Sequence, residues 1–146
     1  MQLFLSICSG IDSLAEEFCS ALDESNNVKN KRISMLQRFQ QIKNDYCGNI
    51  ANEIVEVNFV GCRASIHPFS KFSEQSCGDW WQDYNHVKHR RAGEVESSNG
   101  NMFNYELANL KNVLQALSAY YLLISLVNRF LSPNGEPVES QLFSCK

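Results

Sequence analysis

The chain has 146 residues, 44% of them hydrophobic and 20% charged, with a net charge of −3. That length sets one domain, and that balance supports a packed core and excludes global disorder. The charge excludes a protein-wide basic field, so contact with nucleic acid would need a local patch, while few Gly (7) and Pro (3) argue against a turn-dense all-β fold.

The first element is a predicted helix from Leu3 to Leu22. Leu3, Ile7, Ile11, Leu14, Phe18 and Leu22 recur at spacings of three or four and make one apolar stripe, which Gly10 weakens. A polar break at residues 23–27 follows. A second helix is expected over residues 30–46 on the spacing of Ile33, Leu36, Phe39 and Tyr46, stopped near Gly48. Val55, Val57 and Phe59 alternate with polar residues, which is a strand signal, although the same residues can prolong a helix begun at Ile50. Residues 61–78 contain Pro68 and several Ser and read as an irregular connection anchored by Phe69 and Phe72.

Asp79 is a candidate N-cap for a helix that carries the densest chemistry in the chain, Trp80-Trp81-Gln82-Asp83-Tyr84-Asn85-His86-Val87-Lys88-His89-Arg90-Arg91. At about 100° per residue, Trp80, Tyr84, Val87 and Arg91 share one face, with Trp81 and Lys88 beside it. Trp80, Tyr84 and Val87 are expected in the core. Either His89 sits at the core edge, hydrogen-bonded to a helix carbonyl or an Asn, or Asn85 and His89, together at i, i+4, form with Lys88 a polar cluster facing a groove. There His89 has the chemistry of a general base or phosphate ligand, and Lys88 supplies positive charge. The Lys88 stem is expected to pack on Trp81 or Tyr84. His86 and Arg90 make a second pair in solvent.

Residues 93–100 read as a loop. A long final helix is expected over residues 104–131, about 40 Å in length. Glu106, Asn109 and Asn112 stand at i, i+3 steps before its apolar run; either they face the Asn85–His89 edge and fix the His tautomer, or they are the polar entry to a long helix. Residues 112–128 are apolar enough to consider a membrane span, but Gln115, Ser118 and Ser125 interrupt them, so a buried central helix is expected, with no membrane partner. The breadth of its apolar surface favours a homodimer. Residues 132–146 are expected to be a flexible tail on a single domain of residues 1–131.

The six cysteines (8, 19, 47, 62, 77 and 145) form no C-x-x-C pair and none lies at ligand spacing from a His, so no metal or other cofactor is expected. The first eight residues lack the charge and apolar length of a secretory signal. Reduced, mostly buried thiols and a cytoplasmic location are expected.

The run from Tyr84 to Arg91, followed by Ala108-Asn109-Leu110-Lys111-Asn112-Val113-Leu114-Gln115-Ala116-Leu117, resembles the HEPN superfamily, and more narrowly its bacterial members with a WW-x-x-YN-x-x-KH-x-R signature before a long last helix. The resemblance covers roughly residues 68–126 and implies a compact helical bundle, often a homodimer through its last helices; the fold expected is a mainly α, HEPN-like bundle of about four or five helices with a long C-terminal helix, with or without one short extended segment near Val55. Many members are metal-independent RNases of toxin–antitoxin or defence systems, whose active motif pairs an Arg and a neighbouring polar residue with a His downstream. His89 takes the His position and Asn85 matches a polar helper. The Arg position holds Gln82, Asp83 and Tyr84 instead, and Arg90 and Arg91 follow the His. Lys88 lacks the bidentate fork of Arg. The expectation is therefore a noncatalytic module binding a nucleotide, RNA or antitoxin-type protein partner through His86, Arg90, Arg91, Asn109 and Asn112. The rivals are a metal-independent endoribonuclease using His89, Asn85 and Lys88, and a structural or immunity-type protein.

Overall fold

The computed structural model describes residues 1–23, 33–59, 62–90, 92–97 and 100–145. Helix α1 (Gln2–Leu22) buries Phe4, Ile7, Cys8, Ile11, Ala15, Phe18 and Cys19, the stripe set by its three- and four-residue spacing. It lies against α4 (Leu110–Leu131), which buries Ala116, Ala119, Leu122, Leu123 and Leu126 on its matching face. Gly10 marks a close approach of these two helices: a Cβ there would stand 3.2 Å from the Tyr120 ring. The glycine that weakens α1 as an isolated helix thus admits a ring at the crossing.

Helix α2 (Met35–Asp45) starts later than the apolar spacing predicts. Ser34 accepts from Gln37 N at 3.3 Å, and its own N–H donates to Gln37 Oε1 at 2.8 Å, a capping box that fixes the start. Residues 30–32 lie outside the described residues.

The fold is α+β, not the mainly α bundle expected. Strand β1 (Val55–Phe59) is the centre of a three-stranded antiparallel sheet between β2 (Cys62–Ile66) and β5 (Phe143–Cys145). Val55 pairs with Ile66 on one side and with Cys145 on the other, and Val55 and Val57 turn into the core. The alternation at Val55 and Val57 is thus that of a strand. The first part of the expected irregular connection is β2, and residues 132–145, within the segment expected as a flexible tail, return to the sheet edge. Tyr121 Oη donates to Val138 O at 2.9 Å and Asn128 Nδ2 to Glu136 O at 2.9 Å, so the return path is tied to α4. A second antiparallel pair, β3 (Glu94–Ser97) and β4 (Gly100–Phe103), occupies the expected loop.

Helix α3 (Asp79–His89) follows Gly78, which serves as N-cap in place of Asp79. Gly78 lies against Phe72, whose ring would come within 2.9 Å of any Cβ there. Trp80, Tyr84 and Val87 are buried, as their spacing predicts, and Trp81 beside them is buried too. They join an aromatic file running from Phe39 through Phe72, Trp80, Trp81 and Tyr84 to Phe4, with ring centroids 4.9–6.3 Å apart. Trp80 Nε1 donates to Pro68 O at 2.8 Å, which pairs the one polar atom of a buried indole.

A 3-10 turn (Asn104–Leu107) precedes α4, so the helix expected from residue 104 begins at Leu110 behind its N-cap Asn109. By length and composition α4 could cross a membrane. Here it packs on α1, α3 and the sheet, and between residues 112 and 128 every side chain is buried or half-buried.

Candidate functional site

The residues that the sequence singles out divide between two faces of α3. Asn85, Lys88 and His89 are exposed and line one groove of about 430 Å³, as their i, i+3 and i, i+4 spacing predicts. The opposite wall carries Asp12 from α1, Arg38 from α2 and Ser34, the α2 N-cap. Lys88 leans over Tyr84, its Nζ 5.2 Å from the ring centroid, so its stem covers the aromatic ring while the ammonium reaches water.

Arg38 is the cation that sequence reasoning missed. It is 5% exposed, and its guanidinium is held on two sides. One terminal nitrogen donates to Asp12 Oδ1 at 2.5 Å and to Asp12 O at 3.2 Å; the other donates to Glu16 Oε2 at 3.0 Å. Its Nε–H is buried with no partner among the described residues. Asp12 and Glu16 stand four apart on one face of α1, the available clue, but nothing local in sequence points from them to residue 38.

The expected polar support for His89 does not form. Asn112 donates to Asp83 Oδ2 at 2.7 Å and to Leu107 O at 2.7 Å. Asn109 caps α4 by accepting from Asn112 N at 3.0 Å, and Glu106 accepts from Phe103 N at 2.7 Å. The reason is angular. At ~100° per residue Asp83 and His89 lie about 120° apart around α3, so a helix that meets the first cannot orient the second. Among the described residues, no side-chain hydrogen bond restrains Asn85, Lys88 or His89.

Asn112 and Asp83 instead border a smaller cleft of about 200 Å³ with His67, Lys71, Asp79 and Lys111. Burial pushes the Asp83 carboxyl above its ordinary value, opposed by the Asn112 hydrogen bond. Lys71 and Asp79 form an ion pair in solvent at its rim. A further depression, about 910 Å³, lies between the end of α4 and residues 132–145, and no residue predicted for a site lines it.

His86 and Arg90 are exposed at the last turn of α3, as expected, and Arg91 lies outside the described residues. The Arg90 carbonyl accepts from Asn104 Nδ2 at 2.6 Å, which joins the end of α3 to the 3-10 turn. Among the described residues no group of three or more His, Cys, Asp or Glu is placed to hold a metal. His67 is exposed just after β2.

No family model matches the chain, and neither a curated protein nor a solved structure matches it.

Chemically, the groove offers hydrogen-bond donors on long or rotatable side chains and one ammonium. A general base needs a neighbour that fixes its tautomer and a cation aimed at the developing charge. His89 has no such neighbour among the described residues, and the Arg38 guanidinium is already engaged by two carboxylates. The arrangement suits recognition of an anionic group more than its conversion.

Proposed function

We propose that this chain is a noncatalytic module that binds RNA through the groove of Asn85, Lys88 and His89. The observation that carries the reading is that these three exposed side chains share one groove whose arginine, Arg38, is locked by Asp12 and Glu16. Lys88 and His89 supply donors to phosphate, Asn85 supplies an amide, and the turn is the C-terminal end of α3, where cations are favoured by the helix dipole. The net charge of −3 confines attraction to this patch, so binding is weak and salt-dependent. The reading rests on this geometry; the sheet departs from the all-helical bundle that the HEPN resemblance implies.

The test is fluorescence anisotropy with a labelled single-stranded RNA, in EDTA, for wild type, Lys88→Ala and His89→Ala. Each variant is expected to weaken binding about 5- to 10-fold, with Lys88→Ala reducing the salt slope by about 0.7. Equal affinity in all three would overturn the reading. Cleavage of the RNA by wild type but not by His89→Ala would replace it with a metal-independent endoribonuclease.

A further inference from the structure

Phe103 and Tyr105 stack on each other in solvent, their centroids 5.5 Å apart and their planes within 10°. They are 42% and 49% exposed, although ring pairs of this size ordinarily bury their faces. The backbone beneath them is fixed. Asn104, between them, is 2% exposed; its N–H donates to Gly93 O at 2.9 Å and its Nδ2 to Arg90 O at 2.6 Å. The Glu106 carboxylate holds the Phe103 N–H. The same Asn104 bond ties the pair to the last turn of α3, where His86, Lys88, His89 and Arg90 are exposed.

From this juxtaposition of two parallel exposed rings and the nitrogen-rich end of α3, we propose that Phe103 and Tyr105 form a stacking platform for the bases of single-stranded RNA. The inference rests on the RNA reading above and names the surface that would distinguish unpaired bases from a bare polyanion. A flat, rigid pair of rings matches a nucleobase face, and every base has such a face, so recognition is tolerant of sequence. Lys88 and Arg90, exposed at the α3 end, attract the phosphates while the bases meet the rings.

The experiment compares a short single-stranded RNA with an abasic oligonucleotide of equal length, by anisotropy on the full chain. Wild type is expected to prefer the RNA. Phe103→Ala and Tyr105→Ala should each lose about 5- to 150-fold on RNA and nothing on the abasic strand, with Tyr105→Phe retaining the preference. Equal binding of the two strands by wild type overturns the platform, as does unchanged RNA affinity in both alanine variants. Loss of self-association in sedimentation with RNA binding intact would make the rings a contact between copies and overturn it too. If Lys88→Ala and His89→Ala are silent while the ring variants weaken binding, the groove reading fails and the platform stands; the reverse pattern retains the groove alone.

Discussion

Asn112 uses both hydrogens of one amide, giving one to Asp83 Oδ2 and the other to Leu107 O, each at 2.7 Å. The bond joins α3 to α4 and holds a half-buried carboxylate whose pKa burial has raised. An Asp that binds its proton more tightly folded than unfolded lowers stability as pH rises through the interval between the two values, and the loss persists above it. Asp83→Asn keeps an oxygen for Asn112 and removes the charge. We expect the variant to melt at or above the wild-type temperature at neutral pH. The difference should shrink as pH falls below the ordinary Asp value of 3.8. Melting curves across this range check it; a variant clearly less stable at neutral pH contradicts it.

Arg38 links α2 to α1 through Asp12 and Glu16, whose side chains are 39% and 62% exposed. Removing the buried partner deletes packing and strands Asp12, whereas removing the exposed one costs little. Arg38→Ala should lose about 2–4 kcal/mol in urea unfolding, and Glu16→Gln about 0.5 kcal/mol. Arg38→Lys should recover only part, since one ammonium lacks the fork that reaches both carboxylates. Comparable losses for Arg38→Ala and Glu16→Gln would refute this ordering.

Ser118 is fully buried on α4, and its hydroxyl has no partner among the described residues. Its desolvation is uncompensated, and alanine is the better helix former. Ser118→Ala should raise stability by about 0.5–1 kcal/mol, a rise of about 2–4 °C in Tm. A lower Tm would mean the hydroxyl is paired in solution.

Burial pushes the thiols of Cys19 and Cys77 up to about 11, and raises those of Cys8, Cys47 and Cys145 as well. Thiolate is the reacting form, so these five should resist a disulfide reagent near pH 8 in the native protein. At most one of the six cysteines should react promptly, with all six available in denaturant. Two or more fast thiols in the folded protein would contradict the burial described.

What the sequence disclosed was what a single element decides. The apolar stripes of α1 and α3, the core positions of Trp80, Tyr84 and Val87, and the common face of Asn85, Lys88 and His89 all follow from a period of about 3.6 residues. What it hid depends on partners distant in the chain. β5 is three residues long, too short for any periodic signal, and exists because β1 offers it a ladder. In β3, Val95 is the one apolar residue of four, so its pairing with β4 carries no alternation to read. Arg38 sits on a helix whose pattern marks only its apolar face, and its role as a tie to α1 appears once the helices are packed. Ser34 and Gln37 are the legible signal that apolar spacing alone passed over.

The pairing of Val55 with Cys145 has a consequence for synthesis. β1 and β2 can form a hairpin early, and β1 then keeps an unpaired edge until residues 143–145 have emerged. α1 packs on α2 and α3 as well, but waits for α4 before its apolar stripe is fully covered. From completion of the β1–β2 hairpin until α4 has been made, the nascent chain therefore carries an open strand edge and an incompletely covered helix face together, the two surfaces on which nascent chains aggregate.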